Sequence, residues 1–79
     1  MSKLPSAERI DAATNYIKQR VPLLWEQILG CERRNGSLGD VAKDLRKALQ
    51  GFDPSLDTVQ IADLGLGIRV RAHEELKNT

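Results

Sequence analysis

The sequence predicts a small all-α domain built from three principal helices. Three observations carry this expectation. An apolar stripe of Ile10, Ala13, Ile17, Val21, Leu24, Ile28 and Cys31 keeps helical phase for about six turns. A second apolar face, Leu38, Val41, Ala42, Leu45, Ala48 and Leu49, follows a short polar connection. Ser6, Ser37 and Asp53 each stand where a helix N-cap is needed.

The first helix is expected to start near Ala7, with Ser6 as cap and Glu8 in the first turn, where a carboxylate favours the helix dipole. Pro22 lies inside the stripe and removes one backbone donor. The stripe keeps its phase across it, so one long helix with a kink is expected in preference to two helices. Residues 33–36, Arg-Arg-Asn-Gly, read as a connection. Ser37 with Asp40 forms a relaxed capping-box pattern that opens the second helix. Asp44 and Lys47 are spaced to pair, Arg46 and Lys47 suit the C-terminal end of the dipole, and Gly51 supplies a terminator. Asp53 and Pro54 then give a third start signal.

The last third carries two patterns at once. Residues 64–72, with Leu64, Leu66, Ile68, Val70 and Ala72, alternate with a period of two, and Val59 and Ile61 do the same. That reads as a hairpin and an α+β alternative. Ile61, Leu64, Ile68, Ala72 and Leu76 also share one helical face, and a lone hairpin would have little sheet to join. Helices over 54–64 and 67–77, interrupted near Gly65 and Gly67, are therefore expected.

A chain of 79 residues is expected to form one domain, with residues 1–5 as a flexible N-terminus. It has 41% hydrophobic residues but one each of Trp, Tyr and Phe, so its core must be aliphatic. So short a chain buries a small share of its surface, which favours association with a partner or a second copy. The net charge of +1 gives no strong field for nucleic acid or an anionic membrane. A single Cys31 on the apolar stripe reads as a reduced core residue and suits a cytoplasmic protein. No signal peptide or membrane segment is expected.

Chemistry-bearing patterns are sparse. The residues 51–53 gap has the length of a helix-turn-helix turn, but Lys47 and Asp57 occupy positions that motif needs small and apolar. His73, Glu74 and Glu75 are adjacent and point about 100° apart on a helix, so they do not converge. Asp40 and Asp44 share a face without a His or Cys companion. Leu-Gly-Leu-Gly over residues 64–67 lacks the third glycine of a dinucleotide fingerprint. Residues 53–61, Asp-Pro-Ser-Leu-Asp-Thr-Val-Gln-Ile, resemble the Asp-Ser-Leu-Asp-Thr-Val-Glu-Leu segment around the phosphopantetheine-bearing serine of acyl carrier proteins. This nine-residue resemblance implies a prosthetic group on Ser55. Pro54 interrupts the pattern, too little chain follows for the remaining carrier helices, and helix capping accounts for the same residues. No enzyme activity, cofactor or metal is expected.

The surplus lies on the first helix. Ala12, Tyr16 and Leu23 form a second, thinner apolar line, and Trp25 and Leu29 widen the main stripe beyond Pro22. The leading expectation is a non-catalytic interaction module, an adaptor, inhibitor or regulatory subunit, that binds another protein or itself through Tyr16, Leu23, Trp25 or Leu29. Arg20 and Glu26 would tune specificity at the rim. The alternative is a nucleic-acid-binding regulator with Arg33, Arg34, Lys43, Arg46 and Lys47 as phosphate contacts.

Overall fold

Ser6 holds extended backbone and its hydroxyl accepts the Arg9 N–H at 3.2 Å, so a helix begins one residue later. The computed structural model describes residues 5–34 and 38–78. Within them α1 spans Ala7–Arg20, α2 Pro22–Arg33, α3 Ala42–Phe52 and α4 Thr58–Lys77, with a 3-10 turn at Leu38–Val41. The described residues are all-helical and contain no strand, so the hairpin alternative is set aside. Expectations for a flexible start at residues 1–4, for Asn35 and Gly36 in the connection and for the Ser37 cap lie outside the described residues.

Among the described residues four helices replace the expected three. The kinked first helix is in fact two, broken at Val21 (φ −136°, ψ 64°). The cause is the following proline, whose ring disfavours helical backbone in the residue before it. Val21 closes one helix and opens the next. Its N–H donates to the Ile17 carbonyl at 2.8 Å, and its carbonyl accepts the Leu24 and Trp25 N–H groups at 3.0 and 3.2 Å. Pro22 then occupies the first position of α2, where no N–H is required. The stripe keeps phase because both helices turn it toward the same core: Ala13, Ile17, Leu24, Ile28 and Cys31 are all buried. Val21 is not, which marks the break.

Two further boundaries shift. Gly51 does not terminate α3 but lies in its last turn, and the helix ends at Phe52 with Asp53 extended. Asp53 does not start a helix either. It accepts the Ser55 N–H and hydroxyl at 3.0 and 2.6 Å and so shapes a turn. The cap of α4 is Asp57, in a full capping box with Gln60: Asp57 Oδ1 accepts the Gln60 N–H at 2.8 Å and Gln60 Oε1 accepts the Asp57 N–H at 2.9 Å.

From there α4 runs unbroken through Gly65 and Gly67, correcting the expected interruption. Each helical glycine costs about 1 kcal/mol relative to alanine. Burial of Ile61, Leu64, Ile68 and Ala72 on one face of α4 outweighs that cost. These residues meet Leu45 and Leu49 of α3, Val41, and the buried faces of α1 and α2 in one aliphatic core. All three other helices contact α4.

Candidate interaction surface

The surface predicted on the first helix divides between core and solvent. Trp25, 5% exposed, and Leu29 are buried, so the flank expected to bind a partner is part of the core. Tyr16 is half-buried, its ring 5.6 Å from that of Phe52, with its hydroxyl against Gly51. Leu23 does face solvent, at 80% exposure, beside a groove of about 410 Å³ that Val21, Leu24 and Ala48 also line. Arg33 and Arg34 at the end of α2 and Lys43, Arg46 and Lys47 on α3 are exposed, with exposed Asp44 among them.

Trp25 is held by a contact no local pattern announces. Its indole N–H donates to Glu75 Oε2 at 3.0 Å, Lys18 Nζ donates to Glu75 Oε1 at 2.7 Å, and the same ammonium lies 4.9 Å from the centroid of the indole ring. The Lys18 and Trp25 hydrogen bonds hold the Glu75 carboxyl below its ordinary value of 4.5. Glu32 is lowered in the same way, by Arg69 first and also by His73. A depressed carboxylate contributes stability that is present above its unfolded value and lost as pH falls through the folded one. Thermal unfolding should therefore move to lower temperature as pH drops below about 5. Glu75→Gln should be less stable at neutral pH and show a shallower acid slope. An unchanged slope would remove Glu75 from the account.

The largest set of misplaced apolar residues lies elsewhere, on the outward side of α4. Val59, Leu66 and Val70 are 60%, 63% and 55% exposed, and Ala62 between them is exposed as well. On a helix these four fall within roughly 80° of one another and extend for about 16 Å. They lie opposite the buried line of Ile61, Leu64, Ile68 and Ala72, so α4 is apolar on two faces. The signal was present in the alternation over residues 64–72. Residues two apart on a helix point to nearly opposite sides, so alternating apolar residues in a helix cover both faces.

The stripe borders a groove of about 320 Å³ between α3 and α4, where Leu38, Ala42, Leu45, Ile61, Ala62 and Leu66 present apolar atoms and Arg46 stands at the edge. Charge differs between the two flanks. On the α1 side are Asp63, Glu74 and Asp11, the last two paired with Arg71 at 3.5 and 2.9 Å. On the α2 and α3 side are Arg46, Arg69 and His73, with Glu32 bonded to the last two at 2.9 and 3.1 Å.

Among the described residues there is no group of three or more His, Cys, Asp or Glu side chains placed to hold a metal, and no helix long and apolar enough to cross a membrane. No family model matches the chain, and neither a curated protein nor a solved structure matches it.

Proposed function

We propose that this chain is a non-catalytic helical interaction module whose working surface is the outward face of α4. The observation that carries this is the second apolar face of that helix. Val59, Leu66 and Val70 are more than half exposed on an element whose opposite face already supplies the core. Exposed apolar residues scattered singly need no explanation, whereas a continuous stripe beside an apolar groove fits a partner helix. The buried thiol of Cys31 suits a reducing compartment such as the cytoplasm.

The test compares two surfaces. Leu66→Glu with Val70→Glu should keep the circular dichroism spectrum and change stability by less than about 0.5 kcal/mol, because both side chains are exposed. The same pair should abolish association, measured as self-association and as capture of other polypeptides. Leu23→Glu should leave both intact. The reverse outcome would transfer the surface to α2. Association that collapses with added salt and with Arg46→Ala and Lys47→Ala would point instead to phosphate contacts.

A further inference from the structure

Resting on that reading of α4, we propose its occupant: a second copy of this chain, with the two α4 helices side by side and parallel about a two-fold axis running along them. Charge is complementary across the apolar strip. The flank of α4 toward α1 is net negative, because Arg71 offsets only part of Asp11, Asp63 and Glu74. Arg9 and Lys18, which α1 also carries, are engaged with Asp53 and Glu75. Among the described side chains the opposite flank is net positive, since Glu32 offsets one of Arg46 and Arg69.

A two-fold axis along the helix sets the acidic flank of each copy against the basic flank of the other, twice, at equal height. An antiparallel pair would set like against like. Arg46 borders the groove at the level of Ala62 and Leu66, so it would meet Asp63 of the second copy. The net charge of +1 opposes neither arrangement.

The size of the strip sets the strength. Val59, Leu66 and Val70 leave on the order of 300 Å² of apolar surface, below the roughly 800 Å² per partner of a standard interface. The pair is therefore weak, and forms and separates readily.

Sedimentation equilibrium of the full chain from about 10 µM to about 1 mM should show a monomer and dimer in exchange. Leu66→Glu should weaken the dimer at least tenfold, on the scale of a central anchor. Asp63→Lys alone and Arg46→Glu alone should each weaken it, and mixing the two variants should restore a mixed dimer. Orientation is read by oxidation: Val59→Cys and Val70→Cys should each cross-link to themselves if the helices are parallel. Cross-linking only between the two different variants would establish the antiparallel pair and overturn the proposal. A chain that stays monomeric throughout also overturns it. If Leu66→Glu with Val70→Glu then still abolishes binding to another polypeptide, the α4 surface stands and the second copy is wrong. If it changes nothing, both readings fail.

Discussion

Trp25→Ala is expected to lower stability by about 3–5 kcal/mol, the range for removing a buried aromatic side chain. Trp25 is the only tryptophan, sits in the core, and satisfies its N–H on Glu75 while Lys18 covers the ring. Its removal opens a cavity and takes a donor from a carboxylate that is itself partly enclosed. Domains in general hold about 5–15 kcal/mol, and one this short stands toward the low end. The variant should thus retain little margin at ambient temperature. Urea denaturation followed by circular dichroism measures this, since the fluorescent residue is lost. Trp25→Phe keeps most of the ring and deletes the hydrogen bond, and should cost about 1–2 kcal/mol from the bond. A Trp25→Ala chain that unfolds like the parent but no longer associates would show that the indole is a binding anchor and that its buried position is wrong.

That result bears on how the sequence is read. Trp25 and Leu29 widen the stripe beyond what a narrow core-facing line needs, and local pattern alone leaves such a surplus open between core and partner. The partner is internal: α4 packs there, and Glu75 lies fifty residues farther along the chain. Ile17 of α1 and Leu24 and Ile28 of α2, by contrast, were legible as core because each stands at helical spacing from an apolar neighbour in its own helix. Ser6 was legible as a cap because capping is local. The break at Val21 was masked by the phase of its neighbours, although the residue preceding proline was the place to expect it.

The course of α4 was the harder problem for the same reason. Two glycines and a period-two pattern oppose a helix in local terms, and a core on one side with an unpartnered apolar stripe on the other resolves both. The candidate site follows from this resolution. Leu66 and Val70 gain meaning only once Leu64 and Ile68 are known to point inward.

The two glycines of α4 are expected to respond to alanine with opposite signs. At Gly65 an added Cβ would lie 3.6 Å from Leu45 Cδ2, an ordinary contact. Gly65→Ala should therefore gain most of the helix propensity difference and stabilise the fold by up to about 1 kcal/mol. At Gly67 the added carbon would come within 2.6, 2.7 and 3.2 Å of Cδ1, Cγ1 and Cγ2 of Ile10. Three atoms on a β-branched side chain cannot all be cleared by turning its far end, so Ile10 or the α1 backbone must move. Overpacking of this kind costs about 1–3 kcal/mol, which exceeds the propensity gain and leaves Gly67→Ala destabilised. Placing both glycine variants in an Ile10→Ala background separates the causes. The penalty at position 67 should vanish there, while the gain at 65 should persist, because coupling is confined to groups in contact. If Gly67→Ala stabilises the parent as Gly65→Ala does, α1 does not approach α4 this closely. The glycine would then owe nothing to the packing of Ile10.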